Sequence, residues 1–237
     1  CATLGLVGID CDGGFAEYVA VPLHTVRPIS KSLPLVEAAL VEPLAVAVHA
    51  VRISDLKVGD VTAVLGAGPI GNLTAQVARL AGARRVFVSE QSPRRLALAR
   101  QLECEVIDVK TESGVDVVLK ATGGVGVPVV FETAGVQLTI ADAGRVARIG
   151  GQILQVGMPK APVTVDITAL QFREVRSTPI RVYRDEDVEA AIALAESGKL
   201  DLATPVTHIL PLTDLERAMH IAHEAKDACK ILLAPAV

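Results

Sequence analysis

Three glycines recur at a spacing that suits the binding of a phosphate chain. Gly66, Gly68 and Gly71 form the pattern Gly-x-Gly-x-x-Gly, with Pro69 and Ile70 after the second glycine. An apolar run, VTAVLGA, precedes them, and a segment with helical spacing, PIGNLTAQVARLAGA, follows. Between a strand and a helix, the first glycine of this pattern permits a tight turn and the second lets the backbone approach a pyrophosphate. The third lets helix and strand pack closely. Phosphates are attracted to such a helix N-terminus by its unpaired N–H groups and dipole. The pattern predicts a dinucleotide-binding loop; an ordinary glycine-rich turn is the alternative.

A carboxylate ends the next apolar run. Glu90 closes RRVFVSE about 20 residues after Gly71. A carboxylate at this place accepts hydrogen bonds from ribose hydroxyls and repels a 2′-phosphate, whereas Arg94 and Arg95 would suit a 2′-phosphate. We expect NAD rather than NADP, with Glu90 and Arg95 at the cofactor. The alternative for Glu90 is a solvated charge at a strand end.

Alternating strand and helix patterns predict the elements that position these residues. Apolar, β-rich runs occur at VTAVLGA, RRVFVSE, EVID, VVFETA and GQILQVG, with STPIRVY as a sixth candidate. Helical segments lie between most of them. Strands that alternate with helices indicate βαβ units, and therefore an α/β fold with a mostly parallel sheet covered on both faces.

The flanking segments have different patterns. FAEYVAVP alternates like a strand, and Pro43 fits the first turn of a new helix with Glu42 at or near its cap. His49 is expected to pack inside, within that helix. The tail reads as a helix, an extended segment, a second helix and a closing strand. We divide the chain into residues 1–43, 44–184 and 185–237, and expect the first and last parts to pack together.

Composition excludes several classes of protein. There are 23 Lys and Arg against 27 Asp and Glu, a net charge of −4, which does not suit nucleic-acid binding. Apolar residues form no uncharged run of 18 or more, so we expect no membrane span. Four scattered cysteines do not form a disulfide framework and favour a reducing, cytoplasmic setting.

Several passages together resemble one family. The passages GIDCDGGFAEYVAVP, LVEPLAVAVHAV, GAGPIG, GGQILQVGM and ESGKL…THILPL are similar to zinc-type medium-chain dehydrogenases/reductases, in the branch of sorbitol, butanediol and threonine dehydrogenases. The resemblance implies a Rossmann domain flanked by parts of a GroES-like, β-rich catalytic domain. Homodimers or homotetramers are usual in the family.

The resemblance also implies zinc. Glu42 matches the family's zinc-site glutamate, which binds the metal directly or through a water, although a plain helix cap is the alternative. Cys1 matches the last cysteine of a structural zinc quartet whose other members are not in this sequence, so that site is incomplete. The family's Gly-His-Glu motif is also not in this sequence. We therefore expect a C-terminal fragment, inactive by itself.

Further cofactor contacts follow from the same resemblance. Val46 would flank the nicotinamide. The other matching positions are the strand-end residues Thr133, Ala134 and Gly135, the strand-end residues Val156 and Gly157, and Arg181 with Tyr183 in a segment that crosses the cofactor.

The implied activity is zinc-dependent transfer of hydride between a secondary alcohol, such as a polyol, diol or threonine-like compound, and NAD. The alternatives are a zinc-free NAD(P)H reductase of the same fold and a non-catalytic dinucleotide-binding module. His220 and His223 share a helix face, but no further ligand completes a metal site there. Glu103 stands where the family usually has glycine after a helix, so we expect a left-handed backbone there at a cost on the order of 1 kcal/mol.

Overall fold

A six-stranded parallel sheet forms the centre of the protein. The computed structural model describes residues 5–224 and 228–235. The sheet has the order β3-β2-β1-β4-β5-β6, and every neighbouring pair is parallel. This order is that of dinucleotide-binding folds, and it confirms the predicted α/β class and all six predicted strands. The strands are β1 Val61–Leu65, β2 Arg85–Glu90, β3 Glu105–Asp108, β4 Val127–Glu132, β5 Ala147–Gln155 and β6 Arg176–Pro179.

Helices cover both faces of the sheet. They are α1 Leu35–Ala38, α2 Val41–Arg52, α3 Pro69–Leu80, α4 Pro93–Gln101, α5 Gly114–Ala121, α6 Gln137–Val146, α7 Ile167–Phe172, α8 Asp185–Glu196 and α9 Leu215–Glu224. Successive residues of a strand point to opposite faces. In β1, Val64 accordingly joins the apolar cluster with α2, α3 and α8, whereas Ala63 and Leu65 join the cluster with α5 and α6. Strand β1 is therefore apolar on both sides, as its sequence predicted.

Helix α2 joins the flanking segments to the sheet region. Its apolar residues pack against α3 and α8. His49 of α2 is buried, as predicted, and its Nδ1 lies 2.8 Å from Oδ2 of Asp187 in α8. Asp187 also accepts hydrogen bonds from the Arg52 guanidinium at 3.0 Å and from the Arg184 backbone N–H at 2.9 Å. This buried polar group fixes α8 against α2.

The lead segment differs from its prediction. Residues 5–34 contain a 3-10 turn at Leu23–Thr25 and an isolated bridge between Val7 and Cys11, but this described stretch forms no strand. A strand requires a partner for its backbone hydrogen bonds, and no segment of the described residues lies beside FAEYVAVP as such a partner. Phe15 and Tyr18 are consequently exposed. The tail follows its prediction more closely, with β7 Val206–Pro211 parallel to β8 Lys230–Ala234.

Two backbone conformations bear on the sequence analysis. Glu103 has φ +57°, which confirms the predicted left-handed residue after α4. Val182 has φ +52°, a conformation that a β-branched residue rarely adopts. It lies between Arg181 and Tyr183, in the segment after β6.

Candidate functional site

The three glycine positions of the loop differ in whether, and why, the fold requires glycine there. A Cβ on Gly71 would lie 1.9 Å from the carbonyl oxygen of Gly66, so this position requires glycine for close packing. Gly66 has φ +106°, which favours glycine in the turn. A Cβ on Gly68 would meet no other atom of the described chain within 4 Å, and its φ is −67°. Gly68 is therefore not required by the fold, and it leaves open the space that a pyrophosphate would approach.

The loop leads directly into the N-terminus of α3. Gly68 is the N-cap residue and Pro69 occupies the first turn, where the missing N–H has no consequence. Ile70 is half-buried beside it. The first N–H groups of a helix have no partner within the helix, so this end can bind an anion.

Asn72 supports the loop through a hydrogen bond to its backbone. This role was not anticipated from the sequence. It is fully buried, and its Nδ2 donates a hydrogen bond of 2.7 Å to the carbonyl of Ala67. Its Oδ1 has no hydrogen-bond partner among the residues that the structure describes. The sequence signal was present, since an amide within an apolar helix needs a specific partner.

Glu90 lies at the loop and holds it in place. Its Oε2 accepts a hydrogen bond from the Ala67 N–H at 3.0 Å, and its Oε1 accepts from Gln91 N–H at 2.8 Å and Ser92 N–H at 3.0 Å. The carboxylate is buried apart from 9% of the residue's surface. Because a carboxylate has about four acceptor positions, these bonds leave capacity for a ribose hydroxyl.

Arg95 is turned towards the tail of the chain. Its Nε donates a 2.9 Å hydrogen bond to the carbonyl of Ala228, and its guanidinium lies 3.8 Å from the Glu90 carboxylate. Arg94 is exposed on the first turn of α4. Arg95 thus connects the loop region to the segment before β8.

A cavity of about 330 Å³ lies at the carboxyl ends of the strands. Among the predicted cofactor residues it is lined by Gly66, Gly68, Glu90, Arg95 and Thr133. Ligands of open α/β sheets bind at this edge. The cavity continues past Glu90 between α5 and α6, where its lining includes Val109, Gly114, Val115, Thr139, Asp142 and Val146.

The strand-end residues matched to the nicotinamide side meet around a buried carboxylate, Glu132. Its Oε1 accepts hydrogen bonds from the N–H groups of Ala134 and Gly135, at 3.0 and 2.9 Å, and from the Thr139 hydroxyl at 2.6 Å. Its Oε2 accepts from the amide of Gln155. Glu132 was not anticipated from the sequence, although an acidic residue that closes an apolar strand was a usable signal.

Glycine permits the two strand ends to approach each other. A Cβ on Gly157 would lie 2.2 Å from the Gly135 nitrogen. Val156 N–H and Gly157 N–H both donate to the backbone carbonyl of Glu132 at 2.8 Å. The structure therefore brings Thr133 to Gly135 and Val156 to Gly157 into one neighbourhood.

Glu42 and Tyr183 form a second group of predicted residues. Glu42 is exposed in the first turn of α2, and its carboxylate lies close enough to the Tyr183 phenol to act on it electrostatically. Burial, with the Glu42 charge as a further cause, raises the pKa of the Tyr183 phenol. Val46, one turn along α2, is half-buried, and Arg181 is exposed.

A complete zinc site is not formed by the described residues. Within residues 5–224 and 228–235, no three His, Cys, Asp or Glu side chains are grouped so that they could hold a metal ion. Glu42 is a single carboxylate, and a closed zinc site needs four ligands. Cys1 lies outside the described residues. His220 lies 3.6 Å from Glu224 on the exposed face of α9. The residues present do not by themselves fit zinc.

The family is decided by comparison with known proteins. A family model described as zinc-binding dehydrogenase matches residues 69–197, which is more than half of the chain. The chain belongs to the zinc-binding dehydrogenase family. The predicted resemblance to zinc-type medium-chain dehydrogenases of the polyol branch is thereby confirmed.

Individual relatives agree with this assignment. L-threonine 3-dehydrogenase of Bacillus velezensis is 34% identical over 99% of this chain and 68% of its own length. The crystal structure of 2R,3R-butanediol dehydrogenase from Bacillus subtilis is 33% identical with a TM-score of 0.89, over 98% of this chain and 67% of that one. A protein classed as a zinc-binding dehydrogenase from Sinorhizobium meliloti 1021, solved with NADP, is 30% identical with a TM-score of 0.88, over 99% of this chain and 70% of that one. The chain spans about two thirds of the length of these relatives.

Proposed function

We propose that this zinc-binding dehydrogenase binds NAD in the cavity behind Gly66, Gly68 and Gly71, and that the protein transfers hydride between a secondary alcohol and NAD. The observation that carries the proposal is the loop itself. Glu90 holds it at the start of α3, and the open face of Gly68 admits a pyrophosphate. The relatives act, by their names, on threonine and butanediol, which supports a polyol, diol or threonine-like substrate.

The described residues serve to bind and orient the cofactor. The start of α3 would hold the pyrophosphate and Glu90 the adenosine ribose, while Thr133 and Gly157 lie towards the nicotinamide side. Bound NAD supplies the ring that accepts hydride. The donor set fits a dinucleotide, because a cavity, an anion-binding helix end and a carboxylate adjoin one another.

The geometry favours NAD over NADP. The Glu90 carboxylate faces the cavity and repels a 2′-phosphate. Arg95, the nearer of the two arginines, is bonded to Ala228 and paired with Glu90. A relative of similar fold was solved with NADP, which makes NADPH the comparison cofactor for NADH.

The proposal that the protein uses zinc rests on its family and, among the described residues, on Glu42 alone. In the whole protein Glu42 would contribute a carboxylate to zinc or to a zinc-bound water, and the Tyr183 phenol would lie near that carboxylate. The described residues do not complete a metal site.

Assembly and location belong to the same proposal. The edge strand β6 has one side free in the described sheet, so a second copy can pair there to give a homodimer or, by further contacts, a homotetramer. Cys11, Cys104 and Cys229 are unpaired, which favours the cytoplasm. No helix among the described residues has the length and apolarity to cross a membrane.

The test is a titration with NADH and, separately, NADPH, observed through the fluorescence of the reduced cofactor because the chain has no Trp. We expect saturable NADH binding and weaker NADPH binding. Gly68→Ala should weaken NADH binding about tenfold or more, equivalent to about 1.4 kcal/mol. Gly14→Ala is the matched control, since its Cβ also meets nothing within 4 Å in the described chain and Gly14 does not line the cavity.

The outcomes separate the alternatives. Absence of NADH binding by the folded chain, or equal binding by Gly68→Ala, contradicts the loop assignment. Tight binding of NADPH contradicts the NAD preference and favours the reductase alternative. Zinc-dependent oxidation of alcohols is tested on the protein with its full catalytic domain.

A further inference from the structure

The inner end of the cofactor cavity has apolar walls and one partly buried carboxyl group. Beyond Glu90 the walls include Val109 and Val115 from the region of β3 and α5, and Val146 from α6. Asp142 of α6 lines the same space, with 23% of its side chain exposed. Largely apolar walls with a few polar groups, here Asp142 and Thr139, suit a heterocycle that carries a polar substituent.

The polar groups near Asp142 already form hydrogen bonds within the protein. The Thr139 hydroxyl donates to Glu132, and both oxygens of Glu90 accept backbone N–H groups. The Oδ1 of Asp142 accepts a 3.3 Å hydrogen bond from Arg145, one turn along α6. Its other oxygen has no hydrogen-bond partner in the part of the chain that the structure describes. Burial raises the pKa of the Asp142 carboxyl, opposed by Arg145.

We propose that Asp142 recognises the exocyclic amino group of the adenine of bound dinucleotide. The inference rests on the proposed function, since it requires the adenosine half of NAD to follow Glu90 into the inner cavity. A carboxylate is an acceptor, and the adenine amino group is a donor, so the two are complementary. A 6-oxopurine at the same place presents an acceptor to an acceptor. Asp142 thereby determines which base the cavity takes.

The distinction follows from the cost of unpaired polar groups. A site built to bond an amino group discriminates strongly against an analogue that lacks it, because buried groups are left without partners. An asparagine at position 142 has both a donor and an acceptor, and its amide can rotate to suit either base. Asp142→Asn should therefore remove the discrimination while retaining the shape of the side chain.

The experiment compares NADH with reduced nicotinamide hypoxanthine dinucleotide, in which a carbonyl replaces the amino group. Each is titrated into the full chain and into Asp142→Asn, with cofactor fluorescence as the readout. We expect the unchanged chain to prefer NADH about tenfold and Asp142→Asn to show nearly equal affinities, as for the loss of one charged hydrogen bond. Asp116→Asn is the matched control, because Asp116 is exposed on α5 outside the cavity lining, and it should keep the preference.

The results distinguish this inference from the proposed function. Failure of the folded chain to bind either dinucleotide overturns both. Binding of NADH without preference over the hypoxanthine analogue, or an unchanged preference in Asp142→Asn, overturns the role of Asp142 alone. Asp142→Ser serves as a second variant if the asparagine variant is unstable, and it should likewise lose the preference.

Discussion

Gly71 and Gly68 lie three residues apart, yet substitution by alanine should have very different effects on the stability of the fold. Gly71→Ala drives a Cβ to within 1.9 Å of the Gly66 carbonyl oxygen, so the loop or α3 must shift. We expect a loss of about 2 kcal/mol or more in the free energy of unfolding, measured in urea. Gly68→Ala should leave this free energy nearly unchanged, because its Cβ enters open space. Equal stabilities of the two variants would contradict the packing role of Gly71.

The buried thiol of Cys104 should reduce the stability of the folded protein in alkaline solution. Burial raises the pKa of its thiol from 9.0 to about 11. The folded state retains the proton that the unfolded state releases, so this contribution to stability is complete below about pH 9 and is lost as the pH rises through 11. The free energy of unfolding is measured in urea at pH 8 and at pH 11. Between these pH values, Cys104→Ala should lose about 2 kcal/mol less of this free energy than the unchanged chain.

The comparison isolates one thiol, because Cys229 and Tyr183, whose pKa values are also raised, are present in both proteins. The same loss of stability in both would show that Cys104 does not titrate in this range.

At the scale of single residues, the sequence revealed those whose type is unusual for their context. A glycine pattern between a strand and a helix, and a carboxylate after the next strand, located Gly66, Gly68, Gly71 and Glu90 near one another. It did not reveal Glu132 or Asn72. Their roles depend on which backbone groups the fold leaves unpaired, and that is known only when the strand ends are placed in space.

At the scale of elements, the junction of α2 and α8 depends on one buried carboxylate. Asp187 is 1% exposed and contacts His49, Arg52 and the Arg184 N–H. Asp187→Ala leaves these groups without their acceptor and should destabilise the protein by about 3 kcal/mol. Chemical denaturation measures the change. Asp185→Ala, in the same helical turn but exposed, should change the stability by less than about 0.5 kcal/mol. Similar effects of both variants would contradict the role of Asp187.

Elements were predictable where one segment's own pattern decides its structure. The central strands β1, β2 and β4 carry apolar runs, and a turn or a helix start follows them, such as Ser92 before Pro93 after β2. FAEYVAVP was not predicted correctly, because alternation describes the two faces of a strand and not the neighbour it must pair with. The sequence of one segment carries no information about that neighbour.

At the scale of the whole molecule, cofactor binding should stabilise the fold. The proposed ligand contacts the ends of β1 and β2, the segment after β4 and the loop before α3, which are brought together only in the folded state. At 100 times its dissociation constant, NADH should add about 2.7 kcal/mol to the free energy of unfolding. Thermal unfolding with and without NADH measures the shift. A shift retained in full by Gly68→Ala at the same concentration would place the ligand elsewhere.

Arg95 has a further consequence for the molecule as a whole. Its side chain lines the cofactor cavity and also a second cavity of about 250 Å³ between α9 and β8, and it bonds to Ala228 between them. The two spaces therefore share the Arg95 side chain as a common wall. A molecule that draws Arg95 away from Ala228 changes the affinity for the dinucleotide, and by thermodynamic reciprocity the dinucleotide changes the affinity for that molecule by the same factor.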